Sequence, residues 1–401
     1  MKYALLLPSI FSIGVSAQNI TDNNVSFDYV QLPTNPIDPQ YTTYKIVVNK
    51  FFETSNQDSL NLHQARIDAI QVNYDAQMSG WVTQKRAIDR QYLTTLAAWE
   101  KNNLAAGVST IKPDRPQYPL MPFKEELAEP RLHDDITEQY VGSIVKLEGF
   151  TAGEGGAEIT IDIQPMTELA IVKKVNGSGT ATKYEYRCNY KLQVLIKVQC
   201  PARGIVFNTM IGSAVKSHAI NTFATTYDYE IWMLDNREKM WMELQAKARA
   251  EAMAEVNSVI NENCGFPLKR RNTEVYSVKS HEKFTYTELT TAFTTAEQGY
   301  RLIAQKRDHT AAASKLLEAI SIWETVLKES NMNDNKSRVN DKITGMLHYN
   351  IAEAYAWLSQ FEESEKYINL TIADGVLKFK GMANDLDAYL NQQIVRWNAN
   401  Y

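Results

Sequence analysis

Histidine and cysteine are scarce, with six and three in 401 residues. No Cys-x-x-Cys pair occurs, and no Cys or His group has the spacing of a zinc site, so no metal site is predicted. A nucleophile elbow, a Walker loop and a His-Glu-x-x-His helix are all absent, so no catalytic residue is predicted, no cofactor is expected, and the chain reads as a non-enzyme. Charge of one sign is lacking as well. The 42 basic and 47 acidic side chains give a net −5, without the long basic block that coats a nucleic-acid groove, so nucleic acid is excluded as a partner. Beyond the N-terminus no uncharged run approaches the roughly 20 residues of a membrane-crossing helix, so no transmembrane segment is expected.

What is present begins with an export signal. Lys2 gives a short positive region, Ala4 to Val15 is largely apolar, and Val15-Ser16-Ala17 supplies small residues ahead of Gln18. Residues 1–17 are therefore expected to be a signal peptide cleaved after Ala17, placing the mature chain in the periplasm or outside the cell. Disulfides persist there, which makes the thiols worth placing. Cys188 and Cys200 lie on one face of what reads as a single strand, roughly 40 Å apart at its ends, so any intramolecular bridge would involve Cys264. Buried, unpaired thiols are the expected state.

The composition, 44% hydrophobic and 22% charged, is that of a folded chain, and its length suits two or three domains. Residues 25–52 read as strands around Pro33, Pro36 and Pro39. From 56 to 106 the pattern turns helical: Ile67, Ile70, Tyr74, Trp81, Ile88, Tyr92 and Trp99 recur at threes, fours and sevens. Ser79-Gly80 offers a break, leaving a helical hairpin and one rod about 70 Å long both open; either must pack on itself or on a partner. Pro113, Pro116, Pro119 and Pro122 make residues 107–134 a semi-rigid connector that is neither helix nor paired strand.

Residues 135–265 read as β followed by a helix. Asn176-Gly177-Ser178-Gly179 marks a hairpin turn, and Gly153-Glu154-Gly155-Gly156 another turn. Between Tyr184 and Cys200 every even position carries Tyr, Cys, Leu, Val or Ile, while Glu185, Arg187, Asn189, Lys191, Gln193, Lys197 and Gln199 stand on the odd side. That predicts a strand with one face in the core, in an antiparallel sheet. The amphipathic stretch Asn236–Asn263, with Trp241, Leu244, Ala248, Ala252, Val256 and Val259 on one stripe, is the expected cover. Residues 25–52 plus 135–265 are thus expected to form one α+β sheet domain with 56–106 as a helical insertion. Lys269-Arg270-Arg271 is read as a solvated loop or a charge complement to the helix end, and His133-Asp134-Asp135 as a cluster too small for a metal or acid/base site.

Residues 283–401 read as a helical domain, with nearly everything from Phe284 onward helical. Ile351, Ala352 and Tyr355, then Phe361 and Ser364, resemble a tetratricopeptide repeat in order and spacing. A looser upstream copy uses Tyr300 and Ile303, then Ala312, Leu316 and Ala319. Leu386, Tyr389, Ile394, Val395 and Trp397 read as a capping helix. Thr371 and Val376 depart from the family pattern, and the copies stand 52 residues apart (364 minus 312). The resemblance implies a stack of helical hairpins with a concave groove that binds protein segments. The expected function is an exported scaffold binding other cell-envelope or secreted proteins through these TPR-like helices, with no partner-binding residue assigned. The alternative is a carrier or sensor holding a small ligand or glycan against the sheet of the α+β domain.

Overall fold

The computed structural model describes residues 19–107, 110–179, 182–280, 283–303 and 309–401. The expected signal peptide and its cleavage site lie outside them. The fold is mixed α+β, with strands β1 (Ile20–Val30), β2 (Thr43–Lys50), β3 (Thr151–Ala152), β4 (Ala157–Ile163), β5 (Thr167–Asn176), β6 (Lys183–Lys191), β7 (Val194–Cys200), β8 (Gly204–Ile211), β9 (Lys216–Phe223) and β10 (Leu268–Val278). The helices are α1 (Phe52–Ala106), α2 (Glu138–Ile144), α3 (Thr226–Asn263), α4 (Thr287–Ile303), α5 (Thr310–Leu327), α6 (Asp341–Trp357), α7 (Phe361–Ala373) and α8 (Leu377–Asn400).

The even-sided run that reads as one strand is divided between two sheets. β6 is the middle of a three-stranded sheet ordered β5-β6-β9, and β7 belongs to a five-stranded sheet ordered β3-β2-β4-β7-β8. β4 leads into β5 and β8 into β9 at the same level, so the two sheets are one three-stranded meander bent across its middle. The bend sits where Gly212 (φ +70°) presses on Leu192; a Cβ there would stand 1.8 Å from the Leu192 carbonyl oxygen. The alternation survives it: Tyr186, Cys188, Tyr190, Leu192, Val194, Ile196, Val198 and Cys200 are all buried. All three thiols are free and buried. α3, opened by a Thr225–Asp228 capping box, lays Trp241, Leu244, Ala248, Ala252 and Val256 against this core.

The five-stranded sheet is mixed where an antiparallel one is expected, because β2 runs parallel to both β3 and β4. Parallel neighbours need a crossover, and residues 51–150 supply it. α1 is a single 55-residue helix, about 80 Å long at ~1.5 Å per residue; Ser79-Gly80 does not break it. The proline segment is its return leg rather than a connector. Asn56 exchanges hydrogen bonds with the backbone of His133, both 2.7 Å. Farther out, Lys124 Nζ reaches Gln71 Oε1 at 2.5 Å, Trp81 Nε1 donates to the Pro119 carbonyl at 2.9 Å, and Tyr118 OH donates to Asp89 at 2.6 Å. Helix numbers rise as proline-segment numbers fall, so the two legs form an antiparallel arm of helix and proline-rich chain. No other helix or strand among the described residues lies along it.

β1 does not join the sheet domain as residues 25–52 are expected to; only β2 does. β1 pairs antiparallel with β10 from Ile20↔Val278 to Val30↔Leu268, and this ribbon packs on α4 and α6. Val25, Phe27, Tyr29, Val275, Tyr276 and Val278 share one core with α4 to α8. Lys269-Arg270-Arg271 is accordingly strand, not loop or helix terminus. The reason is visible in the sequence once the pairing is known: the odd β1 residues Val25, Phe27 and Tyr29 are apolar and face inward.

Candidate functional site

α6 is buried on nearly every side, and its polar residues are the ones that dock the ribbon. Asn350 accepts from the Tyr276 backbone N–H at 3.0 Å and donates to its carbonyl at 2.8 Å, satisfying a strand edge that is cut off from water. Glu353, one helical turn on, accepts from Arg271 Nη2 at 3.2 and 3.3 Å, from Trp357 Nε1 at 3.1 Å and from Tyr349 OH at 3.4 Å. The Arg271 guanidinium also lies 4.2 Å from the Tyr389 ring centroid. Burial works against the charge on Arg271, but the Glu353 carboxylate together with Tyr389 and Tyr349 more than offsets it and raises its pKa. Burial, with Glu353 beside it, pushes the Tyr349 phenol well above its ordinary range.

This polar knot fixes Trp357, whose ring meets Phe27 and Tyr29 edge-on at 4.8 and 4.9 Å. Beyond Trp357 the α6–α7 turn closes in a Schellman arrangement. Gln360 N–H bonds the Tyr355 carbonyl and Ser359 N–H the Ala356 carbonyl. Ser359 takes the left-handed position at φ 57°, the one non-glycine among the described residues with positive φ. His309, capping α5, sits 3.1 Å from the Trp357 carbonyl through Nδ1; a carbonyl only accepts, so that nitrogen carries the hydrogen.

Around this turn lies an open groove of about 490 Å³, lined by Tyr29, Leu32, His309, Trp357, Phe361 and Trp397, with Tyr389 and Tyr401 at its α8 wall. A second hollow of about 380 Å³ adjoins it at Leu32 and Tyr401 and reaches Ile37, Phe150 and Phe266 of the sheet domain. Arg396 stitches the two bodies beneath them, donating to the carbonyls of Leu32 at 2.8 Å and Glu262 at 3.0 Å and pairing with the Glu262 carboxylate.

His133, Asp134 and Asp135 form a clasp at the root of the arm. Asp134 pairs with Arg249 at 2.5 Å and Asp135 with Lys50 at 2.6 Å. The His133 ring packs between Phe52 and Trp241, and burial lowers its pKa. On the His133 and Asp134 side about 20 Å³ is left open, room for roughly one water, and an open surface hollow of about 270 Å³ lies on the Asp135 side, between Ile136, Tyr140 and Arg249. Gly153 to Gly156 is a turn between β3 and β4, and a Cβ at Gly156 would stand 1.9 Å from the Thr43 carbonyl oxygen. No group of three or more metal-type ligands occurs among the described residues.

The groove residues are drawn from β1, α5, α6, α7 and α8, and no sequence motif joins them. The one signal is a density of aromatics near the C-terminus, Trp357, Phe361, Tyr389, Trp397 and Tyr401. No family model, curated protein or solved structure matches this chain.

Proposed function

We propose that the chain is an exported, non-enzymatic scaffold that binds other cell-envelope or secreted proteins, taking an extended segment of a partner into the aromatic groove of a TPR-like helical domain. The groove itself carries the reading: it is open, walled by Trp357, Phe361, Trp397 and Tyr401, and held by a rigid buried knot behind Trp357. Close helix pairing supports the TPR-like element. A Cβ on Gly299 would stand 2.8 Å from Leu316 across α4 and α5, and Ala352 and Ser364 are fully buried between α6 and α7. The ribbon β1–β10 lies over α4 and α6, where a repeat groove would take its ligand, so the chain fills most of that surface itself. Binding is left to the open end beside Tyr29. The alternative, a small ligand or glycan against the sheet, lacks a cavity at the face that α3 covers, which is filled with side chains.

A photo-crosslinking residue at Gln393, on the groove wall, tests this in an envelope extract. A discrete protein adduct that is lost with Trp397→Ala supports the proposal. Absence of any adduct, or one unaffected by Trp397→Ala, overturns it.

A further inference from the structure

The return leg of the arm carries a charge pattern with its own centre of symmetry. In a polyproline helix every third residue shares a row. Pro113, Pro116 and Pro122 are half-buried and share a row with Pro119, itself exposed but accepting from Trp81 of α1 through its carbonyl, which leaves two neighbouring rows outward. One holds Leu120, Phe123, Glu126 and Glu129; the other holds Lys112, Arg115 and Met121, with Tyr118 between them reaching back to Asp89 through its hydroxyl, and all of these are exposed. Leu120 is 96% and Phe123 84% exposed, with Met121 at 60% between them. The other exposed apolar side chains of the arm stand singly, as is ordinary on a surface.

Lys112 and Glu129 are equally far along the chain from the point between Leu120 and Met121, and so are Arg115 and Glu126. That point lies at mid-arm, since Trp81 donates to Pro119 there. The same division runs through the whole arm. The root half, residues 52–80 with 121–132, has seven carboxylates and three Lys or Arg, whereas the tip half, 81–107 with 110–120, has six Lys or Arg and three carboxylates. Lys112, Arg115 and Glu126 have no ion-pair partner among the described residues; Glu129 has only His63 at 3.6 Å.

We infer that two copies of this chain pair arm to arm, antiparallel about a two-fold axis between Leu120 and Met121. A two-fold interface is self-complementary, so each contact occurs twice. Leu120, Met121 and Phe123 of both copies meet at the centre, and on each side Arg115 faces Glu126 and Lys112 faces Glu129 of the other copy. A parallel pairing would set basic tip against basic tip, and a partner of uniform charge would be repelled by one half. The inference is independent of the groove and its ligand.

Sedimentation equilibrium of the full exported chain tests it. The expected result is a reversible dimer whose dissociation constant rises at least about tenfold between about 50 and 500 mM NaCl. Leu120→Glu combined with Phe123→Glu, both exposed and so compatible with folding, abolishes dimerisation. Arg115→Glu and Glu126→Arg each weaken it about tenfold or more, and the two together in one chain restore it. A chain that stays monomeric at about 100 μM and low salt, a dimer indifferent to the Leu120 and Phe123 changes, or failure of the charge swap to restore pairing would each overturn the inference.

Discussion

The Ser364 hydroxyl donates to the Ala352 carbonyl at 2.9 Å, and both residues are fully buried where α6 and α7 cross. Small side chains are required there because the helix axes come close enough for a side chain of one to bond the backbone of the other. Ala352→Leu is expected to overpack the crossing and cost about 1–3 kcal/mol. Ser364→Ala loses one buried hydrogen bond, about 1 kcal/mol. Urea melts of the two variants check both, and an unchanged midpoint for Ala352→Leu would remove the close-packed hairpin from the TPR-like reading.

Arg271 and Glu353 give an asymmetric expectation. Glu353→Ala strands a guanidinium that burial already disfavours, and the cost is about 3–5 kcal/mol. Arg271→Met alone leaves the carboxylate with Trp357 and Tyr349 as donors and is expected to cost less than Glu353→Ala. The double variant Arg271→Met with Glu353→Leu should recover much of the loss. Equal costs for all three by thermal melting would mean that the pair contributes nothing as a pair.

The sequence carried the faces of elements far better than their partners. The even side of 184–200 and the stripe of α3 were legible because burial imposes periods of 2 and 3.6. The bend at Leu192 was not, since it keeps the alternation and is announced only by Gly212, twenty residues away. The α1 stripe from Ile67 to Trp99 was equally plain, but its cover is a proline segment that makes no ladder and whose one period is the three-residue spacing of its prolines. Arg271 reads as a surface charge until β1 is placed beside β10, a pairing that spans some 250 residues. The groove is less legible still, because Tyr29, His309, Trp357 and Trp397 are brought together only by the packing of five elements.

At the bend, Val194→Asp should place a charge in a fully buried site and cost at least about 3 kcal/mol, while Gln193→Asp, on the other face, is expected to be nearly neutral. Gly212→Ala meets both the left-handed backbone and the Leu192 carbonyl, and should cost more than about 2 kcal/mol. Chemical denaturation of the three variants gives the order; Gly212→Ala melting with the parent would contradict the bend.

Ser359 offers the opposite sign. A non-glycine residue at φ 57° costs about 1 kcal/mol, so Ser359→Gly is expected to stabilise the α6–α7 turn by up to about that amount, less the entropy glycine adds to the unfolded chain. A thermal melt suffices, and destabilisation would show that the Ser359 side chain makes a contact worth more than the strain.

The thiols turn burial into a pH dependence. Burial raises Cys264 from 9.0 to about 12, and burial followed by the Glu168 charge raises Cys188 to about 11. The protonated form is therefore favoured in the native state. Above pH 9 the unfolded chain releases protons that the folded chain keeps, so it is the unfolded state that gains, by as much as ~1.4 kcal/mol per pH unit for each thiol. Stability from these groups is fully present below pH 9 and is lost progressively up to about pH 11 for Cys188 and about pH 12 for Cys264. Tyrosines and lysines titrate in the same window, so the measurement is a difference: the melting temperature of Cys264→Ala should fall less steeply between pH 9 and 11 than that of the parent. At pH 8 a thiol reagent should find no reactive cysteine in the native chain and three after unfolding. Rapid native labelling of Cys188 or Cys264 would show that the sheet and α3 do not close over them.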